Sequence, residues 1–214
     1  MTISMNNRVH MGRRMILIGV VTLLLAGSAS QSPVWAGLAT EQMRDTVDRV
    51  VAVIQDPSFK AANRQTERRE RLRQVIGARF DFNEMAKRSL GANWQRRTPE
   101  EQREFVGLFT ALLEKAYADQ IEAFQGDKIV FGRERQEQNF AEVESKIVGA
   151  KRDEFTVNYK LLGADGEWKV YDVVFGDVSL VNNYRSQFNR ILAKGSFADL
   201  LQAMRGGPAA VGVK

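Results

Sequence analysis

Near residue 128 the hydrophobic period of this chain changes from that of a helix to that of a strand, and near residue 179 it changes back. Residues 38–125 read as helices. Four strands follow, Lys128–Phe131, Phe140–Val148, Glu154–Leu162 and Glu167–Phe175, and 179–205 return to helix. In the third strand Phe155, Val157, Tyr159 and Leu161 alternate with Thr156, Asn158 and Lys160, so one face is apolar and the other polar. Asp165-Gly166 between the last two strands is a two-residue hairpin signal. Consecutive strands on tight links make an antiparallel meander. Helices flanking that block predict an α+β fold, with an antiparallel sheet of four strands or slightly more packed against several helices.

The helices carry their own punctuation. Thr40 is the expected N-cap of the first, where Met43, Val47, Val50, Val51 and Ile54 recur at helical spacing and Pro57 ends the run. Asn63–Ile76 predicts a second helix, rich in arginine (Arg64, Arg68, Arg69, Arg71, Arg73) with Glu67 and Glu70 interleaved. Asp81 and Glu84 cap a short third. Thr98-Pro99-Glu100-Glu101 gives the fourth an N-cap, a proline at the first position and a glutamate at the third. Its apolar face is broad enough to lie across a sheet or a cavity. Ser179 caps a fifth helix through Leu192, and Ser196 with Asp199 opens a sixth.

Residues 1–36 read as a secretory signal peptide: Arg8, Arg13 and Arg14 without an acid, the apolar run Met15–Ala26, then Val34-Trp35-Ala36 as a cleavage site. Residues 37–205 form a single domain, and 206–214 are expected to be a disordered tail. Cleavage after Ala36 removes three basic residues and the chain's one histidine, His10, and leaves a net charge of +2. No broad nucleic-acid surface follows from that charge. With neither histidine nor cysteine left, Ser-His-Asp and Cys-His catalysis, thiol redox chemistry and ordinary zinc sites are excluded.

No nucleotide, metal or nucleophile motif is present, so no cofactor is expected. Asp172, set between Tyr171 and Val173 in an apolar strand, has two readings. It is either a general base in a small pocket or a carboxylate bonded to backbone or arginine. The arginine-rich second helix is either a solvated face with i,i+4 pairs such as Glu67–Arg71 or a surface for anionic head groups or an acidic partner. The large apolar inventory around the sheet fits a filled core or a lined cavity, and the pattern alone leaves both open.

Three segments add a resemblance. Tyr171–Leu192 (YDVVFGDVSLVNNYRSQFNRIL), Phe80–Trp94 (FDFNEMAKRSLGANW) and Thr98–Ile121 (TPEEQREFVGLFTALLEKAYADQI) resemble the MlaC, or toluene-tolerance, family of periplasmic phospholipid-binding proteins. One departure is that Gly176 precedes Asp177, where the family commonly places an acid and then glycine before Val-Ser. The resemblance implies a monomeric, non-enzymatic periplasmic carrier that shields acyl chains in an apolar cavity. It implies exchange of lipid with an inner-membrane ABC transporter complex and an outer-membrane lipoprotein complex. A hopanoid or other apolar lipid is the alternative cargo, and a small-pocket enzyme using Asp172 the alternative activity. The expected cavity lining is Leu108, Leu112, Tyr117 and Ile121 on the fourth helix, with Phe155, Val157, Tyr159, Val170, Tyr171, Val173, Val178, Leu180, Val181, Tyr184 and Phe188 from the strands and the fifth helix. Strand parity sets Tyr171 and Val173 on one side and Val170 and Asp172 on the other.

Overall fold

The computed structural model describes residues 37–59, 61–122, 124, 128–149 and 154–212. The expected leader, 1–36, lies outside them. Among the described residues, six α-helices and a five-stranded antiparallel sheet make an α+β fold. Among the described residues no helix is long and apolar enough to cross a membrane.

Helix α1 (Leu38–Gln55) begins two residues before the expected cap. Thr40 lies inside it, and the cap comes from far along the chain. Glu134 accepts from the Gly37 N–H (2.9 Å), the Thr40 N–H (2.8 Å) and the Thr40 hydroxyl (2.6 Å). A carboxylate against free N–H groups at a helix start is favourable in both hydrogen bonding and dipole. Two 3₁₀ turns, Pro57–Phe59 and Ala62–Arg64, lead into α2 (Gln65–Arg79). Helix α3 (Phe82–Leu90) is capped by Asp81, which accepts from the Glu84 N–H at 2.9 Å. Helix α4 (Pro99–Glu122) carries the reciprocal Thr98–Glu101 box read from sequence (2.9 and 3.2 Å).

The sheet is a meander in chain order: β1 (Lys128–Glu137), β2 (Phe140–Val148), β3 (Glu154–Ala164), β4 (Glu167–Phe175) and a short β5 (Val178–Ser179). Asp165 and Gly166 both take positive φ, as a two-residue turn matched to strand twist requires. Gly163 faces the buried Trp168, whose ring would lie 2.9 Å from any added Cβ. A bulge interrupts β4: Lys160 pairs with Asp172 and Leu161 with Val170, leaving Tyr171 without a partner. One extra residue resets side-chain alternation. The expected parity is therefore wrong: Val170 and Val173 both bury in the cluster formed by the sheet and α1.

Helices α5 (Leu180–Leu192) and α6 (Phe197–Gly206) close the fold. Asp172 pins α5 to the sheet. One carboxylate oxygen accepts from the Ser179 hydroxyl (2.6 Å) and the other from the buried Val181 N–H (3.0 Å). The expectation of a disordered tail from 206 also fails as far as Gly212. A 3₁₀ turn, Pro208–Val211, buries Val211 to 2% exposure against the helical core.

Among the described residues, apolar side chains gather in three clusters. The largest lies among α3, α4, α5 and α6, around Phe105, Phe109, Tyr184 and Phe188. A second joins α1 to the sheet through Met43, Val143, Leu161, Trp168, Val170 and Val173. The third ties α1 to α2 through Val53, Leu72 and Val75. Phe80 touches the first two, because the chain leaves α2 there, forms a parallel bridge with Val170 and donates the Asp81 N–H to its carbonyl (2.8 Å).

Replacing Asp172 with alanine strands the buried Val181 N–H, and urea unfolding should show a loss of about 1–3 kcal/mol. Acid should act gradually. Asp45, Glu67, Glu167 and Asp199 are held below the ordinary carboxylate range, by Arg49, Arg64, Lys169 and the Ser196 N–H respectively. A carboxylate depressed in the folded state stabilises above its unfolded pKa and loses that contribution as pH falls through the folded one. All four are exposed, so the urea midpoint should stay level at neutral pH and decline shallowly below about pH 4.

Candidate functional site

The three clusters meet without closing. Between α1, the second half of α4 and the sheet lies a pocket of about 350 Å³. One wall is the face of α1 that carries Met43, Thr46, Val47, Val50, Val51 and Ile54. Leu113, Glu114, Tyr117, Gln120, Ile121 and Phe124 follow at helical spacing along and just past α4. The floor is the inner sheet face, with Ile129, Ile147, Val157, Tyr159, Val173 and Phe175. Ile76, Phe80, Phe82, Met85 and Leu180 complete the lining. The sheet residues sit side by side because of the register: Ile129 pairs with Ile147, Tyr159 with Val173 and Val157 with Phe175. Tyr117 stacks on Phe175 with ring centroids 5.9 Å apart.

The α1 wall is fixed at one end. Gln42 donates to the Gly166 carbonyl (2.9 Å) and accepts from the Trp168 N–H (2.9 Å). Arg79, at the end of α2, donates to Gln42, Thr46 and the Trp168 carbonyl at 2.6–3.1 Å. Among the described residues, every polar contact from α1 to the sheet and to α2 comes from its first half. Beyond Thr46 the helix holds on by apolar packing.

Electrostatically the pocket is quiet. Burial pushes the phenols of Tyr117 and Tyr159 up, the latter against a hydrogen bond with Ser145 that pulls it down, so both stay uncharged at neutral pH. Among the described residues, the one ionisable acid in the lining is Glu114. It is partly exposed and bonded by the Arg73 guanidinium through Nε (2.7 Å) and Nη2 (3.0 Å).

Of the residues expected from sequence, Tyr117, Ile121, Val157, Tyr159, Val173 and Leu180 line this pocket. The other nine do not. Leu112, Val181, Tyr184 and Phe188 are buried in the helical core and Leu108 packs against it. Val170 is buried in the sheet cluster. Tyr171 is displaced by the bulge, packing on Phe140 with the Arg88 guanidinium 4.1 Å above its ring. Phe155 and Val178 point outward, 65% and 58% exposed. The turn before Val178 carries its positive φ at Gly176. Sequence reasoning missed the α1 wall. Its signal was present in the apolar spacing of Met43, Val47, Val50, Val51 and Ile54. Asp172 is outside the lining, and both its oxygens are engaged in holding α5.

The family model for the MlaC protein matches residues 44–206. The chain belongs to the MlaC family. That match runs from α1 through α6 and so spans every element of the pocket wall. Among solved structures, a phospholipid-binding protein from Ralstonia solanacearum, determined in complex with a phospholipid, resembles this MlaC-family chain with a TM-score of 0.73 at 24% identity. The likeness covers 81% of this chain and 98% of that one, and shows a shared fold. A comparison with curated proteins found no match.

The two regions respond differently to a buried charge. Leu112→Glu places a carboxylate in a solid core and should unfold the protein. Val173→Glu places it against open space. It should keep the circular dichroism spectrum and the urea transition, with stability lowered by only ~1–3 kcal/mol.

Proposed function

We propose that this protein is a periplasmic, non-enzymatic carrier whose pocket shelters the hydrocarbon of a phospholipid. It would exchange that lipid with an inner-membrane ABC transporter complex and an outer-membrane lipoprotein complex. The observation that carries this reading is the pocket itself: an apolar gap between helix α1 and the sheet, with one carboxylate among the described residues of its lining. Membership of the MlaC family and the likeness to a protein solved with a phospholipid support it.

The physics favours shape and apolar walls over reactive groups. Exposing a lipid's two tails, about 30 methylenes, costs on the order of 20–25 kcal/mol in water. A carrier that crosses water must cover that surface. It must also release the lipid to a bilayer that covers it equally well, so strong polar clamps would oppose delivery. Asp172 has no role as a base here, because it is spent on the α5 N-terminus.

The second half of α1 is the wall best placed to yield as a lipid enters and leaves, since it is held by apolar contacts that a lipid tail replaces in kind.

Organic extraction of the purified chain 37–214, followed by mass spectrometry, tests the reading. A phospholipid in about equimolar amount is expected, with Val173→Glu carrying at least tenfold less. A hopanoid or other apolar lipid in its place would change the cargo. No lipid, together with no uptake from phospholipid vesicles, would overturn the proposal.

A further inference from the structure

The carrier reading gives the arginines of α2 no part, yet one of them reaches the pocket. Arg73 lies one turn before Ile76, a lining residue, and its fork grips Glu114, another. Its Nη1 donates to Glu70. A guanidinium has five N–H donors, and these three bonds leave the second hydrogen of each Nη available. Arg69, one turn earlier, lies 3.9 Å from Asp119, the residue before the lining Gln120. Arg73, Glu114 and Asp119 are all partly or largely exposed. The α2–α4 edge is thus where the apolar pocket gives way to water and where cationic side chains stand beside it.

We propose that Arg73 receives the phosphodiester of the lipid whose tails enter the pocket, making the α2–α4 edge a headgroup site. This rests on the carrier reading and deepens it. The planar fork suits two phosphate oxygens at once. Glu114 holds the fork at the rim when the pocket is empty and competes with the phosphate when it is full. That competition keeps the grip loose enough for release. Arg71, on the same helix, bonds Gln74 and does not reach Glu114.

Uptake is measured from vesicles doped with either phosphatidylglycerol or diacylglycerol of the same acyl chains, which differ only in the head group. Wild type should prefer the phospholipid, and Arg73→Gln should reduce that preference roughly tenfold, the worth of one charge-assisted hydrogen bond. Glu114→Gln should raise it, and Arg71→Gln should leave it near wild type. Inorganic phosphate in millimolar excess should not displace bound phospholipid, because it lacks the tails. Equal preference in Arg73→Gln and wild type, an equal loss in Arg71→Gln, or displacement by inorganic phosphate would each overturn the headgroup site. Failure of wild type to take up either lipid would instead overturn the carrier reading, so the two are told apart.

Discussion

The inner face of the sheet is largely apolar, and the helices cover only part of it. Where α1 meets Leu161, Trp168 and Val170 those side chains are fully buried. Toward the start of β1 and the end of β4 the same face is lined by Ile129, Ile147, Val173 and Phe175, and there it meets space. A globular domain normally collapses such a gap, because unfilled apolar surface forfeits dispersion contacts. Here collapse is resisted by polar tethers at the other end of α1. Glu134 fixes the first turn, and Gln42 with Arg79 fixes the next to the β3–β4 hairpin. The helix is held over the sheet at one end and left free to ride at the other.

That division also separates stability from capacity. Phe105, Phe109, Tyr184 and Phe188 form a packed aromatic group among the helices, and Asp172 anchors it to the sheet. The pocket borrows only the margin of this core, through Met85, Leu113 and Leu180. The pocket can therefore change shape without disturbing most of what keeps the protein folded.

Much of this was legible in the sequence, and the parts that were not share a cause. The Thr98–Glu101 and Ser196–Asp199 boxes, the Asp165-Gly166 turn and the strand order are local signals, and each stands where its residues predict it. The cap on Thr40 comes from Glu134, 94 residues away, and local spacing holds no trace of it. The bulge at Tyr171 reverses the parity of Val170, and the largely apolar run Val170–Phe175 carries too little alternation to mark where the slip occurs. The lining was hardest to read because apolar side chains build filled cores and open pockets alike. Phe109, Leu113 and Tyr117 follow at four-residue spacing on one helical face, yet Phe109 is enclosed in the helical core while Tyr117 borders the gap. Which stretch of a face lacks a partner depends on where other helices end.

The central claim is that hydrocarbon occupies the space between α1 and the sheet. Methyl relaxation in protein loaded with a phospholipid spin-labelled midway along one acyl chain addresses it directly. Strong broadening should fall on Val47, Ile54, Ile121 and Val173, with Leu200 and Leu201 in the helical core unaffected. Broadening centred on the helical core, or confined to exposed methyls such as Val130, would contradict the account.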